Sequence, residues 1–291
     1  MKNTFKKIIK TLLVSIVFIT SSYGQYPLNN RLFQENKFSM NVAYAGEENS
    51  TRLSVVNNYI PSKVDNGNNS YWILGTFDVG LTKNLATGTR LSYNLQGAFL
   101  ETVIEQALAY KLNINEEQSV ALGISFGLNR QVFDPQRGLF PNQFVDMEDK
   151  VFDGNSISRN DLRTEIGAVY KFKKFELSVA LPTLMQDNNF ASGFLTYASY
   201  NFATSTDIEI KPSILINRTY QKDFEITSSI NFMYLEKGWL QLGYLDTNQL
   251  LIGAGIRFEK VGIAYSAAIP FNEKYTSLIG NAHQLGLYFK L

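Results

Sequence analysis

The sequence predicts an all-β protein: an antiparallel transmembrane β-barrel of about 14 strands, with short periplasmic turns and longer outer loops. Three observations carry this reading. Apolar and polar residues alternate with period 2 over most of the chain, the alternating stretches are joined by alternately tight and long connections, and the N-terminus has the form of a secretory signal.

The chain opens with Lys2, Lys6, Lys7 and Lys10, followed by an apolar stretch from Leu12 to Ile19 and then Ser22-Tyr23-Gly24. Positive, then apolar, then small is the order of an export signal, so residues 1–24 read as a signal peptide with Gln25 the first mature residue. A membrane-anchoring helix is the competing reading, but the apolar stretch falls short of the ~20 residues a spanning helix needs. No later apolar run is long enough either, so a membrane location would require strands.

Residues 25–50 do not alternate and read as a periplasmic N-terminal segment or a plug. The barrel is expected over 51–291, with strands near 51–60, 70–80, 88–98, 102–114, 118–131, 161–172, 175–184, 193–203, 207–217, 223–235, 238–246, 249–258, 260–270 and 281–291. The last of these shows the pattern plainly: Leu285, Leu287, Phe289 and Leu291 alternate with Gln284, Gly286, Tyr288 and Lys290. Phe224, Ile226, Ile230, Phe232 and Tyr234 do the same against Glu225, Thr227, Ser229 and Asn231. So do Leu162, Ile166, Ala168, Tyr170 and Phe172 against Arg163, Glu165 and Lys171.

Alternation alone also fits a soluble sandwich or a lipocalin-like barrel, in which the apolar face is the core. Connection lengths favour the membrane barrel, where apolar residues meet lipid and polar ones line the lumen. Turns after even strands are mostly tight, as at Asn115-Glu116-Glu117, Lys173-Lys174, Ala203 to Thr206, Glu236-Lys237 and Glu259-Lys260. Those after odd strands are more often long, as at 61–69, 132–160, 185–192 and 271–280. The connections at 81–87 and 99–101 are the least regular. Charges expected to face inward are Arg163, Glu165, Lys171, Glu176, Glu209, Lys211, Glu225, Arg257 and Lys290. Pro212, in mid-strand, cannot donate a ladder hydrogen bond, so a bulge or local unpairing is expected there.

Composition agrees. With 27 Lys+Arg against 26 Asp+Glu the chain lacks the basic excess of a nucleic-acid binder. No Cys and a single His remove zinc sites built from those ligands, thiol chemistry and disulfides. No cofactor is expected. The 21 Phe and 16 Tyr suit the aromatic girdles of a barrel. A mean hydropathy of −0.12 suits a wall that turns only every second residue toward lipid.

Several phrases resemble, in order, the PorP/SprF family of type IX secretion system outer-membrane proteins. The first is Asn41-Val42-Ala43-Tyr44-Ala45-Gly46, with Val42 where that family usually has proline. Ala109-Tyr110-Lys111-Leu112, Leu122-Gly123-Ile124-Ser125-Phe126-Gly127, Gly167-Ala168-Val169-Tyr170 and Lys211-Pro212-Ser213-Ile214-Leu215-Ile216 follow. The series ends at Gly280-Asn281-Ala282-His283-Gln284, which is similar to a terminal Gly-x-His-Glu but with one residue inserted and Gln for Glu. The resemblance covers the mature chain. It implies a non-enzymatic outer-membrane component that retains or helps export surface proteins such as gliding adhesins. Its implied partners are the secreted protein or its C-terminal sorting domain, other type IX components and outer-membrane lipid. A pore or hydrophobic-solute transporter is the alternative class.

Candidate sites are few. Asn41, Ala43, Tyr44, Ala45 and Gly46 form either a docking or plug phrase or simply a turn into the first strand. The longest loop carries Phe133, Phe140, Phe144 and Phe152 among prolines and acidic residues, as a lid over the lumen or an apolar docking patch. His283 reads as a strand-end hydrogen-bonding residue, since no nucleophile elbow accompanies it. Gly253-Ala254-Gly255 lacks the third glycine and the helix of a dinucleotide fingerprint. Asp146, Glu148, Asp149 and Asp153 read as a solvated loop rather than a calcium site, since their spacing matches no EF-hand.

Overall fold

The computed structural model describes residues 30–47, 50–63, 69–134, 156–182, 185–186, 189–190, 193–204, 207–218, 224–271 and 280–291. Fourteen long strands build one closed wall. They are β1 (Arg52–Ile60), β2 (Ser70–Gly80), β3 (Leu85–Gln96), β4 (Phe99–Asn115), β5 (Gln118–Phe133), β6 (Ile157–Phe172), β7 (Phe175–Leu181), β8 (Phe194–Tyr200), β9 (Ile208–Arg218), β10 (Glu225–Tyr234), β11 (Gly238–Leu245), β12 (Gln249–Arg257), β13 (Val261–Pro270) and β14 (Ala282–Lys290). Each pairs antiparallel with its neighbours in sequence, and β1 with β14 closes the round. Two-residue ladders at Met185–Gln186 with Asn189–Phe190, and at Phe202–Ala203, complete the strands.

The strands match the alternating stretches, with informative differences. β3 and β4 each begin three residues earlier than the pattern suggests: β3 because the turn before it closes on the Leu85 carbonyl, which accepts from the Leu81 and Thr82 N–H groups, and β4 because its connection to β3 is a tight turn at 97–98. Gly97 stands there at φ +60°, a conformation open to glycine. Pro212 does interrupt the ladder, on one side only. Toward β8 the pairing stops at Ser199↔Ser213 and resumes at Phe202↔Ile210, whereas toward β10 it runs through Pro212↔Ile230 in register. Without an N–H the proline contributes no donor, and the break falls beside it.

Register decides which side chains share a face, because residues directly opposite point the same way. One row runs Lys290, Arg52, Asp78, Gly88, Ala107, Ser125, Glu165, and all of it faces the lumen. The alternate rows carry exposed Ile, Leu, Phe and Tyr. Outward aromatics collect at both ends: Tyr110, Phe172, Tyr200, Tyr234 and Phe258 near the short turns, and Tyr71, Tyr93 and Tyr244 near the long loops. Apolar outside and polar inside is the membrane-barrel arrangement. Replacing outward Phe232 or Ile230 with Arg is therefore expected to cost ~2–4 kcal/mol near the membrane midplane, while inward Thr227→Asn is nearly silent. Urea unfolding of the refolded barrel in lipid vesicles measures both.

Candidate functional site

Residues 30–47 lie inside the wall, not beneath it. Their partners are spread over nearly the whole circumference: Ser54 and Asn58 on β1, Thr76 and Asp78 on β2, Arg90 on β3, Glu165 on β6, Glu176 on β7, Ser213 on β9, Arg257 on β12 and Gln284 on β14. The segment begins beside the long-loop half of β1 and reaches the short-turn mouth at Glu47. A barrel of this strand number has a lumen too wide for wall side chains to fill, and here the chain's own N-terminal segment occupies it.

Local sequence explains the shape. Two single 3-10 turns, Lys37–Ser39 and Val42–Tyr44, fold the segment into a knot with no apolar stripe. Asn41 caps the second: its side-chain oxygen accepts the Ala43 N–H at 2.9 Å. Its amide nitrogen donates to Ser178 Oγ at 2.8 Å and to the Val179 carbonyl at 3.0 Å. Leu32, Phe33, Phe38, Met40, Val42 and Tyr44 are all at most 2% exposed, each against a different part of the wall. Phe33 meets Tyr197 edge to face with ring centres 5.5 Å apart. Leu32 joins Val56, Trp72, Leu74 and Trp239, which come from strands four to five places apart around the wall.

Glycines make the seat. A Cβ on Gly167 would lie 1.8 Å from the Asn41 side-chain oxygen, one on Gly123 2.5 Å from the Ala43 nitrogen, and one on Gly88 2.6 Å from the Phe38 ring. Three inward positions thus lack side chains where the plug touches the wall. Gly46, at φ +62°, turns the chain out of the plug beside Ala86.

Two ionic clusters hold the plug. In the upper one, Arg90 lies between Glu105, at 2.8 Å, and Glu165, and Arg163 reaches Glu105 at 2.9 Å. Glu165 also accepts the Val42 N–H at 3.0 Å, and Arg90 donates to the Phe38 carbonyl at 3.4 Å. Val42 replaces the proline usual in the resembling phrase; a proline there would have no N–H for Glu165. In the lower cluster Lys37 sits 2.6 Å from both Glu176 oxygens, and Tyr44 Oη donates to Glu176 at 2.5 Å. Glu47 pairs with Lys171 and lies 3.8 Å from Arg52, which in turn holds Asp78 at 2.9 Å. Arg257 grips Glu35 through two bonds of 2.6 and 2.9 Å.

Burial pushes the Tyr44 hydroxyl well above its usual range, and Glu176 adds to this, so it remains a donor. Burial alone would raise the Glu47 carboxyl, but Lys37, Lys171 and Arg52 outweigh it and hold it well below the carboxylate range. Burial alone would lower the Lys37 ammonium, yet Glu47 and Glu176 hold it above the lysine range. The signs fix a pH dependence. Glu47's contribution is complete above a free glutamate's 4.5 and is lost as pH falls through its lower seated value. That of Lys37 is complete below a free lysine's 10.5 and is lost as pH rises through its higher seated value. Protection of residues 30–47 from added protease, read as the extent of cutting against pH, should therefore fall in strong acid, where Glu47 is lost, and again in strong base, where Lys37 is lost.

Asn41, Ala43, Tyr44, Ala45 and Gly46 thus come together in the plug. Of the four phenylalanines assigned to the loop, Phe133 instead ends β5, paired with Phe99, their tilted rings 5.0 Å apart at the long-loop end of the wall, while Phe140, Phe144 and Phe152 lie outside the described residues, as do residues 1–29 and the acidic group Asp146, Glu148, Asp149 and Asp153. His283 accepts or donates one bond with Tyr265 Oη at 2.7 Å on the outer face. Gly253 and Gly255 lie within β12, where the Trp239 ring covers them. Sequence reading did not single out Arg90, Glu105 or Asp78; their signal is a charge in mid-strand at an inward position.

A family model described as "Type IX secretion system membrane protein PorP/SprF" matches residues 21–289. No curated protein matches the chain. Among solved structures it is similar to the CymD monoaromatic hydrocarbon channel, with TM-score 0.53 and 8% identity, covering 91% of this chain and 93% of that one. It is likewise similar to the Acinetobacter baumannii outer membrane protein Omp33, with TM-score 0.50 and 9% identity over 83% and 98%. The Pseudomonas putida toluene transporter TodX gives TM-score 0.50 and 10% identity over 93% and 94%. At such identities the likeness is one of fold: all three are outer-membrane barrels.

Proposed function

As a member of the PorP/SprF family of type IX secretion system membrane proteins, and from its barrel fold an outer-membrane component of that system, this chain, we propose, retains or helps export surface proteins such as gliding adhesins by binding them without catalysis. Residues 1–24 are removed on export, the short turns face the periplasm, and the plug ends at the periplasmic mouth. The observation that carries the reading is the seated plug. A lumen crossed by Leu32, Phe38 and Tyr44 and locked by two ionic clusters favours a scaffold over a solute pore, and leaves the loops, the rim and the mouth to meet partners.

The exported protein, through its C-terminal sorting domain, docks on the loop after β5. Beside Phe133, the neighbouring Phe99 and Ile157 are 63% and 59% exposed on the same row, an apolar rim beyond the ordinary wall. Phe140→Ala with Phe144→Ala is expected to weaken cargo retention by about 2 kcal/mol or more while leaving barrel assembly intact. Pull-down of the cargo from membranes of that variant measures it. An unchanged yield moves the contact to the mouth around Tyr44. Deleting the gene separates the classes: loss of surface adhesin with normal solute uptake supports secretion, and the converse supports transport.

A further inference from the structure

Near the short turns of β10 to β13, two small outward residues on neighbouring strands adjoin each other. There Gly238 lies opposite Tyr234 on one side and Ile256 on the other, and Ala254 lies opposite Leu240 and Tyr265. Two small residues at diagonally adjoining positions, flanked by bulky apolar ones, leave a groove of about 840 Å³. Gly238 and Ala254 form its floor; Tyr234 and Leu240 wall one side, Ile256 and Phe258 the other. The groove is open, since a Cβ on Gly238 would meet nothing nearer than the Gly255 carbonyl at 4.0 Å. At its short-turn end stand Lys237 and Lys260, both exposed and neither in an ion pair among the described residues, with Glu236 and Glu259 beside them.

We propose that this groove binds a single zwitterionic glycerophospholipid from the leaflet at the short-turn end, with an acyl chain along Gly238 and Ala254 and the phosphate at Lys237 and Lys260. The occupant follows from placement. The groove faces outward from strands that cross a membrane, so hydrocarbon surrounds it, and its volume falls in the range of roughly 300–1,000 Å³ usual for small-molecule sites. Lysines at the depth of the headgroups attract phosphate. The adjoining glutamates accept a headgroup amine and repel a purely anionic headgroup. Tyr234 and Phe258 sit at the interface, where aromatic rings are favoured.

The test uses the full-length protein in vesicles of palmitoyl-oleoyl-phosphatidylethanolamine containing an analogue with a photoactivatable diazirine on its acyl chain, read by peptide mass spectrometry. Labelling is expected to concentrate on β11 and β12. In Gly238→Leu/Ala254→Leu it should fall about tenfold, the loss expected when a few methylenes are excluded from an apolar site. Lys237→Glu/Lys260→Glu leaves the groove intact and should lower labelling as well, and it keeps the proposal testable if the filled-groove variant fails to fold. Heat-shifted mobility on gels checks folding of each. Even labelling around the barrel, or unchanged labelling in folded variants, overturns the proposal. So does a protein adduct in place of a lipid adduct when Leu240→p-benzoylphenylalanine is crosslinked in native outer membranes.

Discussion

Replacing Arg90 with Leu should destabilise the folded barrel by about 3–5 kcal/mol, the cost of removing one partner from a buried ionic group. The guanidinium is 3% exposed and stands between Glu105 and Glu165, themselves 4% and 0% exposed. Without it two buried carboxylates are left beside Arg163, and one of them must take up a proton or draw water inside. Two contacts to the plug disappear as well, the bond to the Phe38 carbonyl and the cation over the Phe38 ring with 5.6 Å to its centre. Urea unfolding in vesicles reads the loss. The comparison that isolates the charge is Arg90→Leu with Glu165→Gln, which should recover part of it, because one unpaired carboxylate is removed with the arginine. Equal losses in the single and the double variant would mean that packing on Phe38 dominates.

The wall was legible in the sequence because its governing signal is local. Alternation along each strand separates Ile230 and Phe232 from Ser229 and Asn231, and neither assignment needs a partner strand. The inward placement of Glu165, Glu176 and Arg257 follows from the same parity. The plug was legible only as one of two alternatives for a segment that does not alternate, and its seat not at all, because the determinants of the seat are distant in sequence. Asn41 bonds to Ser178 across 137 positions and Tyr44 to Glu176 across 132. Its apolar residues show no period because they contact the wall in all directions. Gly88, Gly123 and Gly167 look like ordinary small residues of three strands. Only once Gly123↔Gly167 are paired in register, and the Asn41 to Ala43 stretch laid over them, does their lack of side chains acquire a reason.

That reason gives the last prediction: Gly123→Leu with Gly167→Leu should drive residues 30–47 out of the lumen. Both positions face inward in mid-strand, and the native Cβ places would lie 2.5 Å from the Ala43 backbone and 1.8 Å from Asn41. Neither neighbour is the free end of a flexible chain. Ala43 is held by the Asn41 cap, Asn41 by Ser178 and Val179, and Val42 by Glu165. Overpacking a closed core costs about 1–3 kcal/mol per site when it can relax, and two adjoining leucines leave the knot no room to relax. The wall has less to lose, since each leucine takes the place of plug atoms in the lumen and the outward rows are untouched. The double variant should therefore still give a heat-resistant barrel. Its lumen should conduct ions in planar bilayers more than that of the native protein, and protease should cut between residues 30 and 47 faster than in the native barrel, where that segment is buried. A barrel that folds, conducts no more than the native protein and keeps those residues protected would mean that the wall deforms instead of the plug, and that the seat is less rigid than its glycines imply.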